Sequence, residues 1–108
     1  MQVRRLVDTS PDVRAAVLID AAGGLLASSD PDAERSRELA ELTRQLVERA
    51  DHASAEPVEQ IEVQIAGGAA YAVRSPRHVL ACVTRKGALP ALVLYDLRHA
   101  LLDLESGR

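Results

Sequence analysis

Aromatic rings are what this sequence has least of. Two tyrosines and no phenylalanine or tryptophan stand among 108 residues, so the core has to be built from Leu, Val, Ile and Ala. Such side chains let helix and sheet approach closely, and they leave few rings for stacking on bases or sugars. Basic charge is short as well. Thirteen Lys and Arg against 16 Asp and Glu leave a net charge of −3, and no basic cluster is longer than the pair Arg4 and Arg5. Both features argue against nucleic acid as a partner. Cys82 is alone, which excludes an intramolecular disulfide and argues against a cysteine-built metal site. No apolar run approaches the roughly 18 residues of a membrane span, and residues 1–10 lack the apolar core of an export signal. No membrane insertion is expected, and the cytoplasm is the expected compartment. Phosphate loops, nucleophile elbows and helical zinc motifs are missing too. The expectation is therefore a protein that is not an enzyme, with no catalytic residue, no cofactor and no metal.

What is present is a chain of one-domain length, 47% hydrophobic, able to bury roughly 60–70% of the surface it exposes when unfolded. Its organising stretch is residues 13–28. Residues 13–19 are almost continuously apolar, with Val17, Leu18 and Ile19 adjacent, as in a strand covered on both faces and placed mid-sheet. Asp20 and the pair Gly23 and Gly24 supply turn chemistry, and residues 25–28 return as a shorter strand. Before this hairpin, residues 1–12 carry Val3, Leu6 and Val7 at helical spacing, enough for about two turns.

A long helix follows over residues 32–50. Asp30 suits its N-cap and Pro31 its first position, with Asp32 and Glu34 at the positive end of the dipole. Leu39, Leu42, Leu46, Val47 and Ala50 make an apolar arc that spans roughly 160° with Ala40. That arc either is a broad seat on the sheet or is shared between the sheet and a second subunit. Residues 57–66 then alternate, with Ile61, Val63 and Ile65 on one face. Gly67 and Gly68 signal a two-residue hairpin, residues 69–74 return, and residues 78–85 form an apolar, central-looking strand. Residues 89–104 make the closing helix, with Pro90 tolerated in its first turn.

Side chains with chemical potential are scattered. His52 is expected on a loop, His78 at a strand start and His99 on the closing helix. Asp96, His99 and Asp103 share a helix face, best read as a solvated polar stripe. Cys82 reads as a small buried hydrophobe. Leu89, Val93, Leu97, Ala100, Leu101 and Leu104 form the closing helix's sheet-facing stripe. Ala91, Tyr95 and Leu102, with Leu92 beyond, lie on its far side as a second contact surface. Either the short N-terminal segment folds across Tyr95 and Leu102, or, since two turns cannot cover residues spread over three, the patch stays open for another dimer or a partner.

A strand ending in Asp20-x-x-Gly23 and followed by Leu25-Leu26-Ala27-Ser28 resembles the opening hairpin of the Roadblock/dynein-light-chain family. The capped helix, the three-strand meander and the closing run Leu92-Val93-Leu94-Tyr95-Asp96-Leu97-Arg98 are similar in order and length. The resemblance covers residue 13 to about residue 105. It implies an α+β fold of profilin-like architecture: a five-stranded antiparallel sheet in the order β-β-α-β-β-β-α, with helices packed on it. A short segment (1–12) would precede the domain (13–105) and a tail (106–108) would follow. The resemblance further implies a homodimer formed through the first long helix and the next strand, drawing on Leu39, Leu42, Leu46, Val47, Glu59, Ile61 and Val63. The implied role is a non-catalytic module that activates or scaffolds a small Ras-like GTPase, met in bacteria in polarity, motility and signalling systems. Arg37, Glu41, Arg44 and Glu48 are the expected rim facing that partner. A ligand-sensing domain of profilin-like type is the alternative, and it would need a cavity against the sheet. Most relatives carry a full helix before the first strand, where this chain has twelve residues.

Overall fold

A computed structural model describes residues 3–107; Met1, Gln2 and Arg108, at the ends of the two terminal segments, lie outside the described residues. The elements are α1 (Val3–Thr9), β1 (Val13–Asp20), β2 (Leu25–Ser28), α2 (Ala33–His52), β3 (Gln60–Ile65), β4 (Gly68–Arg74), β5 (His78–Arg85) and α3 (Pro90–Glu105). All five strands join one antiparallel sheet in the order β2-β1-β5-β4-β3. The strand expected mid-sheet, β1, is interior but off-centre. β5 takes the middle, because its apolar residues pair on one side with the neighbouring hairpin strand β4 and on the other with β1.

Alternation along β1 and β5 sorts the core into two layers. Ala16 and Leu18 stand beside Cys82 and Leu80 on one face, while Val17 and Ile19 stand beside Ala81 and Val79 on the other. The first face also carries Tyr71 and Val73 and is covered by α1 and α3, which bring Val3, Leu6, Val93, Leu97, Ala100 and Leu101. The second face is covered by α2, which brings Ala40 and Val47. Tyr71 is 1% exposed and is the one large ring in an otherwise aliphatic core. The N-terminal segment is thus part of the first layer, with Ser10 Oγ donating to Asp96 of α3 at 2.9 Å.

The turns and helix ends obey local rules, with four shifts from expectation. Asp20 Oδ1 accepts from the amides of Ala22 and Gly24, both at 2.9 Å, which closes the first hairpin as an Asx turn. The second hairpin turns on Ala66 and Gly67 rather than on Gly67 and Gly68. Gly67 takes the positive φ of 80°, and Gly68 already pairs with Arg85 in the sheet. The N-cap of α2 is Asp32, not Asp30: its carboxylate accepts from the amides of Glu34 and Arg35. Asp30 instead accepts from the Asp32 amide and pairs with Arg35 at 3.0 Å, so two aspartates build the entry in series. His52, expected on a loop, lies in the last turn of α2. Leu89, expected in the buried stripe of α3, is its N-cap and 61% exposed. Pro90 starts the helix one residue later, so the stripe begins at Val93.

Candidate interaction surface

Eight of the expected site residues (Arg37, Leu39, Glu41, Leu42, Arg44, Leu46, Val47 and Glu48) lie on α2, whose faces are differently occupied. Its seat on the sheet is Ser36, Ala40, Thr43 and Val47. Two of these are polar, and each is satisfied close to home. Ser36 Oγ donates to the Asp32 carbonyl at 2.9 Å, and Thr43 Oγ1 to the Leu39 carbonyl at 2.8 Å. Periodic counting finds Ala40 and Val47 but passes over Ser36 and Thr43, because it favours leucine; a buried Ser or Thr bonded within its own helix costs little and allows close approach. Val47, expected at the dimer contact, belongs to this seat and is 9% exposed. It is therefore a core residue of the single chain.

The leucines of the arc fall to one side of the seat. Leu39 and Leu46 are half-buried, and Leu42 is 62% exposed. They overhang the β3 side of the sheet, where Val63, Ile65, Ala70, Ala81 and Val83 complete an open apolar groove of about 380 Å³. Leucine walls over an alanine floor leave that space unfilled. Ile61 packs at the margin of the α2 core. Glu59 precedes β3 and is exposed, yet its carbonyl accepts from the Arg74 amide at 2.9 Å, so pairing with β4 begins there. The outer edge of β3 meets no further strand among the described residues.

On the solvent side of α2, the four expected rim residues behave differently from one another. Arg44 bridges Glu41 at 2.6 Å and Glu48 at 2.8 Å. The Arg44 guanidinium, helped by Gln45, holds the Glu41 carboxyl down at about 2, and Arg44 itself is raised by Glu41 first. Arg37 is exposed, one turn nearer the N-terminus. The rim is thus a clamped Glu-Arg-Glu ladder with a separate cation.

A second, larger groove of about 940 Å³ opens at the other end of α2, between the β1–β2 turn and the β4–β5 turn. Asp51 and Arg74 form its floor, paired at 2.7 Å, and Asp51 also accepts from the Val58 amide at 3.0 Å. Arg74 is the first cause that lowers the Asp51 carboxyl, with the Val58 amide behind it. Charges matched in this way hold the exit of α2 to the sheet.

Elsewhere, Cys82 is buried and its thiol is pushed up to about 12 by desolvation, far from a reactive thiolate. Ser75, His78 and Glu105 cluster, with Glu105 Oε2 accepting from Ser75 Oγ at 2.6 Å and lying 2.7 Å from His78 Nδ1. Ser75 bonds the carboxylate and not the imidazole, so the arrangement ties α3 to the β4–β5 turn rather than activating a nucleophile. Among the described residues, no group of His, Cys, Asp and Glu is placed to hold a metal ion, and no helix is long and apolar enough to cross a membrane. Ala91, Tyr95 and Leu102 all lie exposed on α3, apart from the α2 surface.

The family model for the Roadblock/LC7 domain matches residues 2–85. The chain belongs to the Roadblock/LC7 family. No curated protein matches it in sequence. In fold it is similar to a Roadblock/LC7 domain from Streptomyces avermitilis, at 18% identity and a TM-score of 0.87, with 96% of this chain and 92% of that one covered. It is also similar to MglB of Myxococcus xanthus, at 20% identity and a TM-score of 0.73, with 93% and 85% covered. Profilin from Schizosaccharomyces pombe follows at 15% identity and a TM-score of 0.61, with 97% and 94% covered. This Roadblock domain therefore has the α+β, profilin-like architecture that its hairpin and meander imply.

Proposed function

We propose that this Roadblock domain acts as a cytoplasmic homodimer, joined through α2 and β3, whose α2 surface regulates or scaffolds a small Ras-like GTPase without catalysis of its own. The observation that carries the dimer is the apolar groove beside the unpaired edge of β3. An exposed, regular edge strand is an aggregation hazard unless something pairs with it. Symmetric pairing of β3 with its copy removes the hazard, and the copy's α2 would cover Leu39, Leu42, Leu46, Ile61 and Val63, with Glu59 at the margin. The GTPase assignment rests on family membership. Arg37, Glu41, Arg44 and Glu48 form the proposed partner-facing rim, which tunes association rate more than affinity. The ligand-sensing alternative has less support, because the two cations that line the larger groove, Arg44 and Arg74, are already paired with Glu48 and Asp51.

The test is binding of the chain to small Ras-like GTPases of its own organism, loaded with GTP or GDP, with hydrolysis followed in parallel. Nucleotide-dependent binding, weakened by the double substitution Arg37→Glu and Arg44→Glu in a protein that stays dimeric, is the expected result. Binding to none of them, in either nucleotide state, overturns the GTPase reading. A protein that stays monomeric at ~100 μM, where a micromolar Kd would saturate, overturns the dimer.

A further inference from the structure

The outer face of α3 carries a pattern that the dimer leaves unused. Leu92, Tyr95, His99 and Leu102 are spaced by three, four and three residues, and all four are exposed, the three apolar ones by 59–64%. At 100° per residue they share an arc of about 80°, on the opposite side of the helix from Val93, Leu97, Ala100 and Leu101. Three-four spacing is the pattern that lets two helices meet along a straight seam. His99 packs against Tyr95 with ring centroids 4.2 Å apart and planes tilted by 42°, so the two rings are contiguous at the middle of the seam.

Nothing in the described chain covers this stripe. Val3 and Leu6 of α1 are already committed to the core. The flanking charges say what fits. Arg98 lies on one side of the seam, where it bonds Gln60, and Asp96 and Asp103 lie on the other. Against an antiparallel copy, Arg98 would face Arg98 and Asp96 would face Asp96. Against a parallel copy, Arg98 sits opposite the second copy's Asp103 on both sides of the seam. The stripe is self-complementary in one direction.

We propose that α3 pairs with α3 of a second copy in parallel register, through Leu92, Tyr95, His99 and Leu102, as an assembly contact separate from α2 and β3. A three-turn seam buries less than about 1,200 Å² in total, which places it among small, transient interfaces. α2 and α3 lie on opposite faces of the sheet, so a dimer joined at β3 would present both α3 stripes on one side.

Sedimentation equilibrium of the full chain from roughly 5 to 500 μM, a range that spans the Kd of a small interface, reads the contact directly. The expected result is a mass rising past the dimer, cut to the dimer by Leu102→Glu with an unchanged circular dichroism spectrum. Leu42→Glu, on the other face, should leave α3-linked pairs, and the double variant should be monomeric. If Leu42→Glu changes nothing while Leu102→Glu abolishes all association, the α2 and β3 dimer fails and the present proposal stands. Register is read by mild oxidation. Leu102→Cys alone should cross-link to itself, whereas an antiparallel seam would link a mixture of Leu92→Cys and Leu102→Cys. An unchanged mass for Leu102→Glu, or cross-linking confined to the mixture, overturns the proposal.

Discussion

Single residues decide the turns and the helix ends, and two adjacent glycines separate two reasons for having no side chain. At Gly67 an added Cβ meets nothing within 4 Å, and the cost of a side chain is the positive φ alone. At Gly68 the same atom would lie 1.9 Å from the Thr84 carbonyl oxygen, inside the β4–β5 ladder where neither strand can retreat. Gly67→Ala should cost about 1–2 kcal/mol, and Gly68→Ala about 3 kcal/mol or more. Urea melts of the two variants should separate accordingly, and equal midpoints would mean that the sheet yields at Gly68. Glu105 makes a pH prediction. His78, then Ser75, hold its carboxyl below the ordinary value of 4.5. A carboxyl lowered in the folded state contributes stability above its unfolded pKa and loses it as pH falls through the folded one. Acid unfolding below about pH 4.5 should therefore start earlier and be shallower in Glu105→Gln, with no comparable change in its pH dependence at neutral pH.

At the scale of the element, α2 shows how one amphipathic helix serves two masters. The apolar arc reads from the sequence as about 160° of continuous leucine, valine and alanine. In the structure the sheet takes the Ala40–Val47 side and leaves the Leu39–Leu42–Leu46 side overhanging alanines. The two sides should respond to truncation differently. Val47→Ala opens a void in the core and should cost about 2 kcal/mol at any protein concentration. Leu42→Ala removes an exposed side chain and should stay within about 0.5 kcal/mol in dilute solution, with a larger loss as concentration rises. Denaturation at two concentrations checks this. A large loss for Leu42→Ala under dilute conditions would place Leu42 in the core of the single chain.

For the whole molecule, the two layers are unequal. α1 and α3 bring Val3, Leu6, Val93, Leu97, Ala100 and Leu101 to one face, whereas α2 brings Ala40 and Val47 to the other. A layer with fewer apolar anchors opens at lower cost, so the proposed dimer contact would stabilise α2 more than α1 or α3. Association that occurs in the folded state stabilises by mass action. The Tm of the wild-type chain should therefore rise with concentration, and that of Leu42→Glu should rise less. Hydrogen exchange should find the amides of α2 in Leu42→Glu faster than those of α3. Equal protection of the two helices in that variant would remove the case for a lightly held α2.

Local chemistry alone determined most of the elements of this protein. Asp20 with its following glycines closes a hairpin by bonds spanning four residues, Pro90 admits a helix only in its first turn, and alternation at Ile61, Val63 and Ile65 means a strand wherever it lies. The Roadblock resemblance followed from those elements in that order. Matters that depend on distant neighbours were decided by the tertiary structure. The centre of the sheet went to β5, because strand order depends on pairing across more than fifty residues of chain. The cap moved from Asp30 to Asp32, because two aspartates of equal propensity differ only in where the chain enters the helix. Most of all, a period of 3.6 says that a helix has an apolar side, and it cannot say how much of that side meets the sheet. Packing gave Val47 to the core, left Leu42 at the rim of an open groove, and left Leu92, Tyr95 and Leu102 facing outward on α3.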